Sequence, residues 1–140
     1  MPEFPEPSIW FQHRVSYGET DAMSVMYYAE YLHLFERSRS EFIRAHGMSY
    51  ATVEEREIML PVREAQCRYK RPARFDDLLS VHVGICKWGR ASMTFYYEVY
   101  DAEKKILHAT GYTEHACTNL TGRPVRVPEW LREIFTTTNL

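Results

Sequence analysis

Long apolar runs are missing from this 140-residue chain. No stretch approaches the roughly 20 residues that a membrane-spanning helix needs, so no membrane span is expected. Glycine is scarce, with 6 residues, and none of it forms a phosphate-cradling loop or a dinucleotide fingerprint. The three cysteines, Cys67, Cys86 and Cys117, lie far apart without a CxxC spacing, and at least one cannot pair within the chain. That usage points to a reducing, cytoplasmic setting. Charge of one sign is lacking as well. A net charge of −2 and a pI near 6.3 give no global field for a nucleic acid or an anionic membrane, so any anionic partner is held locally. The start, Met1-Pro2-Glu3-Phe4-Pro5-Glu6-Pro7, is acidic and proline-rich, unlike a signal peptide. An unexported, soluble protein is expected.

Several catalytic signatures are absent too. The six histidines are scattered, with no HxxxH pair and no Cys/His ligand spacing, which leaves a metal site without support. Ser24, Ser38, Ser40 and Ser92 lack the GxSxG elbow of a serine nucleophile. Cys67 and Cys117 fall in strand-like stretches and read as small packing residues.

What is present fits one domain over residues 1–140, because a second core would need more chain. Hydrophobic residues make up 45% and charged residues 26%, a globular balance. Residues 1–8 form an extended arm. A strand is expected from Ile9 to Tyr17, ended by Gly18. From Tyr28 to His46, apolar residues recur at helical spacing (Tyr28, Tyr31, Leu32, Phe35, Phe42, Ile43), and Gly47 is suited to close the helix. A polar connection around Glu54-Glu55-Arg56 leads to four strand candidates: Ile58–Lys70, Leu78–Lys87, Ser92–Tyr100 and Ile106–Asn119. In the second of these, Leu79, Val81, Val83 and Ile85 alternate with Ser80, His82, Gly84 and Cys86, the pattern of a half-buried strand. A short helix, Glu129–Phe135, ends the chain. The order predicts an α+β fold in which a curved antiparallel sheet covers one long helix. The exposed edges of such a sheet invite pairing with a second copy.

Two groups of residues stand out for chemistry. Asp21 lies in the loop Gly18–Met26 just ahead of the expected helix, where a carboxylate can cap free N–H groups. From residue type alone, capping is the favoured role, and Glu19 reads as a solvated loop charge. Arg63, Arg68, Lys70, Arg71 and Arg74 form a basic cluster, and Lys87 and Arg90 flank Trp88-Gly89. They suit a protected sheet edge or a grip on phosphate equally well.

The ordered set Arg14-Val15-Ser16-Tyr17-Gly18-Glu19-Thr20-Asp21-Ala22, Val25-Met26-Tyr27-Tyr28-Ala29-Glu30-Tyr31, Phe35-Glu36-Arg37-Ser38, Tyr69-Lys70-Arg71-Pro72 and the Trp88 turn resembles a known family. It is the 4-hydroxybenzoyl-CoA thioesterase branch of the hot-dog superfamily, together with related bacterial short-chain and aromatic acyl-CoA thioesterases. The resemblance covers residues of about 10 to 135 and implies a hot-dog fold and hydrolysis of an acyl-CoA thioester. It makes Asp21 the catalytic carboxylate, as nucleophile or as general base, with the Tyr28 amide polarising the thioester carbonyl. It places the CoA phosphates near Arg90, with Ser92 beside it, and Lys70, Arg71 and Arg74 sharing the grip. Glu36 takes a position that faces the acyl group in the aromatic enzyme, or else pairs with Arg37 or Arg39. No cofactor is implied, since CoA is part of the substrate. The implied assembly is a homo-oligomer of hot-dog dimers, with dimers pairing into a tetramer. Two alternatives stand behind this: an acyl-thioester hydratase or dehydratase of the same fold, and a non-catalytic CoA-binding module.

Overall fold

The computed structural model describes residues 3–136. Five strands and three α-helices follow one another as β1 (Ser8–Arg14), α1 (Glu30–Ala45), α2 (Tyr50–Glu55), β2 (Val62–Tyr69), β3 (Leu78–Trp88), β4 (Ser92–Asp101), β5 (Leu107–Ala116) and α3 (Glu129–Thr136). The strands form one antiparallel sheet in the order β1-β3-β4-β5-β2. This is the α+β arrangement expected, with α1 against one face.

The side chains explain the layering. Leu79, Val81 and Val83 of β3 and Phe95, Tyr97 and Val99 of β4 are fully buried, and so are Leu34, Phe35 and Phe42 of α1. The phenyl ring of Phe35 stacks on Tyr97 with centroids 4.2 Å apart. Gly111 of β5 makes this approach possible, because a Cβ there would overlap the Phe35 ring and the Gln66 carbonyl. Gly47 does close the helix region, at φ +86°.

Several boundaries differ from expectation. The first strand ends at Arg14 because a 3₁₀ turn, Tyr17–Glu19, follows it. The helix α1 begins at Glu30, not Tyr28, since Tyr28 and Ala29 form a turn held by the Glu30 N–H bonding to the Tyr27 carbonyl at 2.9 Å. The chain around Glu54 is helical: Ser49 caps α2 by accepting a hydrogen bond from the Thr52 N–H at 3.2 Å. The second expected strand, Ile58–Lys70, shortens to β2, and Met59 joins only an isolated bridge to Thr118. Ser8 belongs to β1, and the arm before it packs on the sheet. Phe4 stacks on His82 at 3.6 Å, Trp10 stacks on His82's other side at 4.1 Å, and the Pro5 carbonyl lies over Gly84. Residues 1 and 2 of that arm lie outside the described residues.

Strand register defines two ends of the sheet. Arg14 pairs with Leu78, Tyr100 with Leu107 and Tyr69 with Ala109 at one end. Trp88 pairs with Met93, Ser92 with Ala116 and Val62 with His115 at the other. The strand β2 runs between the two ends at the sheet's edge, and all but Cys67 of its residues are exposed.

Candidate active site

The loop bearing Asp21 leaves β1 at the first end of the sheet and is tied down at several points. Thr20 bridges to Met26, Val25 bridges to Arg74, and the Met26 N–H bonds to the Ala73 carbonyl at 2.7 Å. Glu19 is one of these ties, contrary to its expected role as a solvated charge. Its carboxylate meets His13 Nε2 at 2.8 Å, accepts the Ser16 N–H at 2.7 Å, and lies 3.7 Å from Arg37. Its side chain is only 13% exposed. Burial alone would raise its pKa, but the Ser16 N–H and His13 outweigh burial and hold it below the usual carboxylate value. The spacing Ser16-x-x-Glu19, a capping-box pattern, was the signal in the sequence for this role.

Asp21 does not cap α1. The residue at the cap position is Ala29, which offers no side-chain hydrogen bond. Instead Asp21 folds its own loop: Oδ1 accepts the Met23 N–H at 2.8 Å and the Val25 N–H at 3.4 Å. Ser24, in the left-handed region at φ +66°, completes the turn. Asp21 Oδ2 has no hydrogen-bond partner among the described residues. This frees one carboxylate oxygen of a side chain that is otherwise fixed.

Asp21 lines a cavity of about 260 Å³ together with Val25, Tyr28, Tyr31, Tyr69, Lys70 and Arg71. The Tyr28 and Ala29 amides find no acceptor among the described residues, as befits the orphan donors before a helix. The Tyr69 hydroxyl donates to the Tyr28 carbonyl at 2.9 Å and steadies this turn. Burial pushes the Tyr31 phenol up to about 12 and the Cys67 thiol up to about 11, and burial raises Tyr69 as well. All three stay protonated at neutral pH, and Asp21 is the one acidic residue among those lining the cavity. The Lys70 and Arg71 side chains form no hydrogen bond or ion pair among the described residues, while their backbone N–H groups are fastened to the His108 carbonyl. Such a set can attack a polarised carbonyl or deprotonate a water, stabilise the resulting oxyanion on amide donors, and hold an anion beside it.

Other expected site residues lie elsewhere. Arg74 is exposed beside the loop, with its backbone N–H on Asp77 Oδ2 at 2.8 Å, and does not line the cavity. Arg63 is paired with Glu114 and is not a free phosphate contact. Glu36 lines a second cavity of about 360 Å³ with Arg39, Ser40, Tyr50, Val62 and His115, at the opposite end of β2. It pairs with neither Arg37 nor Arg39, since Arg37 turns to Glu19 and His13. Arg90 and Ser92 also sit at that opposite end, in the β3–β4 turn. There the Gly89 N–H bonds to the Ser92 carbonyl at 2.9 Å, and the Ser92 hydroxyl presses against Gly89. The Arg90 carbonyl accepts the Val127 N–H at 2.8 Å, anchoring the turn to the segment before α3. Within one chain, β3 alone separates this turn from the Asp21 loop by about 30 Å at roughly 3.3 Å per residue. Among the described residues no group of three or more His, Cys, Asp or Glu side chains is placed to hold a metal ion.

The stretch of chain that holds this loop and strands β2 to β5 is matched by a family model. Residues 15–135 fit the thioesterase-like superfamily. The chain belongs to that superfamily. Acyl-CoA thioesterase YbgC of Haemophilus influenzae is 32% identical over 127 residues, covering 89% of this chain and 92% of its own. A DHNA-CoA thioesterase of Staphylococcus aureus has the same fold, with TM-score 0.83 and 29% identity over 91% of this chain and 88% of its own. A 4-hydroxybenzoyl CoA thioesterase mutant, complexed with 4-hydroxybenzoyl CoA, matches with TM-score 0.83 over 91% of this chain and 98% of its own. At 21% identity that last likeness concerns the fold alone, and it is the hot-dog fold that the sequence motifs implied. In this member of the thioesterase-like superfamily the acidic loop is fastened to Ala73 and Arg74.

Proposed function

We propose that the protein is an acyl-CoA thioesterase whose hydrolytic group is Asp21. The observation that carries this reading is the Asp21 carboxylate, held by its own loop through Oδ1 and open at Oδ2, in one cavity with the unpaired Tyr28 amide. The carboxylate attacks the thioester carbonyl or takes a proton from the attacking water, and the Tyr28 N–H receives the oxyanion. Lys70 and Arg71 attract the CoA phosphates. No cofactor is needed, because CoA arrives as part of the substrate, and the three free thiols suit a cytoplasmic enzyme. No described helix is long and apolar enough to cross a membrane.

The working unit in this reading is a dimer formed by pairing β2 with β2 of a second copy in antiparallel fashion. Support comes from the open edge of β2 and from the exposed Tyr28, Leu32, Val62 and Tyr69 beside it. Such pairing sets the Val62 end of one strand against the Tyr69 end of the other. The cavity with Glu36 then faces the partner's cavity with Asp21, and the turn with Arg90 and Ser92 comes to the same side. One composite site takes CoA on Arg90, Lys70 and Arg71, and the acyl group beside Glu36. Pairing of dimers into a tetramer is a further step of the same proposal.

A hydratase would need a histidine free to move a proton over the acyl chain. His115, which lines the far cavity, has both ring nitrogens engaged, by the Leu60 carbonyl and by Thr113, each at 2.8 Å. The decisive experiment is a thiol-release screen over short, long, branched and aromatic acyl-CoAs with wild type and Asp21→Asn. Release by wild type and its near-loss in the variant are expected; equal rates in both would sink the assignment. Mixing Asp21→Asn with Ser40→Tyr, which fills the far cavity, tests the composite site. Two inactive variants should regain up to about a quarter of wild-type activity per chain, because half of the chains form mixed dimers and each mixed dimer has one intact site.

A further inference from the structure

The far cavity contains a chain of hydrogen bonds whose direction is fixed. The Leu60 carbonyl can only accept, so His115 Nδ1 carries a proton and donates it there at 2.8 Å. His115 is neutral, since burial lowers its pKa to about 4. Its Nε2 is then an acceptor, and the Thr113 hydroxyl donates to it at 2.8 Å. With that proton in use, Thr113 Oγ1 accepts from the Tyr97 hydroxyl at 2.6 Å. The Tyr97 oxygen in turn accepts from Arg39 Nη1 at 3.4 Å. Every buried polar group in the series is satisfied, and the series ends on a cation.

Arg39 is the member left incomplete. A guanidinium has five N–H donors, and the long contact to Tyr97 is the one hydrogen bond that Arg39 makes among the described residues. No carboxylate lies within ion-pairing distance of it among those residues. It is half-buried beside Ile43, Leu60, Pro61, Val62 and Phe95, in a cavity that is largely apolar. A partly desolvated cation without a counter-ion calls for an anion, and a planar fork of donors matches a carboxylate. Glu36 lines the same cavity but is exposed, so water screens its charge more than that of Arg39.

We infer that this cavity takes the far end of an acyl group terminating in a carboxylate, and that Arg39 is the residue selecting it. The inference rests on the reading of the protein as a thioesterase with a composite dimer site. The thioester carbonyl sits at Asp21 of one subunit, the methylene chain runs along Val62 and Leu60 of the other, and the terminal carboxylate meets Arg39 there. Glu36→Gln, which removes the opposing charge, should strengthen the preference.

The test compares kcat/KM for adipyl-CoA and hexanoyl-CoA, and for glutaryl-CoA and valeryl-CoA, in wild type, Arg39→Met and Arg39→Lys. Wild type should favour the carboxylate-ended member of each pair by at least about tenfold. Arg39→Met should lose that ratio while its rate on the methyl-ended member stays within about threefold, and Arg39→Lys should keep part of it. A wild-type preference for the methyl-ended chain overturns the inference. So does an equal loss on both members in Arg39→Met, which would make Arg39 a structural residue. A benzoyl-CoA and 4-hydroxybenzoyl-CoA pair gives a further arm, and selection of the ring hydroxyl over the carboxylate by Arg39 also overturns it. Should wild type release no thiol from any acyl-CoA, the thioesterase reading fails separately. Calorimetric binding of adipyl-CoA against hexanoyl-CoA then decides the subsite: tenfold tighter and Arg39-dependent supports it, equal affinity refutes it.

Discussion

The cavities at the two ends of β2 treat their polar groups in opposite ways. At the Tyr69 end, donors and acceptors are left over: Asp21 Oδ2, the Tyr28 amide, and the side chains of Lys70 and Arg71 lack protein partners among the described residues. At the Val62 end, the side chains of Tyr97, Thr113 and His115 are engaged with one another and with the Leu60 carbonyl, and Arg39, half-buried, is incompletely matched among the described residues. Unpaired groups cost stability wherever water is excluded, so they persist where a substrate is to be met. Paired groups fix a shape. In the proposed reading the loop end carries the reaction and the far end holds a defined cavity, and substitutions at the two ends should fail in different ways.

The largest contrast is expected from Asp21→Asn. An amide keeps the Oδ1 acceptor that Met23 and Val25 use, so the melting temperature should hardly move, while turnover falls by about 10²–10⁴-fold. Thiol release and thermal unfolding on one preparation check both halves; a variant that loses both together would put Asp21 among the structural residues. The far end should respond through stability. His115 has a folded-state pKa of about 4 against an ordinary value of 6.5. Between those values the unfolded chain binds the extra proton, so stability falls as pH drops below about 6.5 and levels off below about 4. The loss reaches about 3 kcal/mol. Urea unfolding across that range measures it, and His115→Gln should flatten the slope.

Thr113→Val severs the hydrogen-bond series at its middle, leaving the Tyr97 hydroxyl without its acceptor and His115 Nε2 without its donor. A cost of about 1–3 kcal/mol is expected, with the activity on short acyl chains retained. Equilibrium unfolding gives the first quantity and kcat/KM on a short acyl-CoA the second. The smallest effect should come from Tyr69→Phe, which removes one hydroxyl from the Tyr28 carbonyl. About 1 kcal/mol of stability and a several-fold fall in kcat would follow if that bond steadies the amide turn. A change in stability alone would instead make Tyr69 part of the edge packing.

How far the sequence reveals these two ends follows from how each is assembled. The alternation of Leu79, Val81, Val83 and Ile85 marks β3 because one face of the strand is buried and side chains repeat every two residues. The loop end is nearly continuous in sequence, from Ser16 to Tyr31 and Tyr69 to Pro72, so motif matching finds its members. Yet the role of Asp21 as the organiser of its own turn, nine residues before α1 begins at Glu30, depends on backbone bends that composition does not encode. Glu19 looks like a loop charge until His13 and Arg37 are brought to it from β1 and α1. The far end draws Arg39, Tyr97, Thr113 and His115 from three elements. Only the register of β4 against β5 and the contact of α1 with the sheet bring them together, and no short pattern announces them. Arg90 and Ser92 are named by resemblance alone, which does not carry their distance from Asp21 in the same chain.

The placement of β2 at the rim of the sheet has a kinetic meaning as well. If catalysis needs Asp21 from one chain and the far cavity from another, a lone chain owns two half-sites and no whole one. Specific activity then becomes a function of dilution: constant at high concentration, falling as chains separate, and restored on mixing. The amount of protein in a compartment would set not just how much enzyme is present but what share of it is switched on.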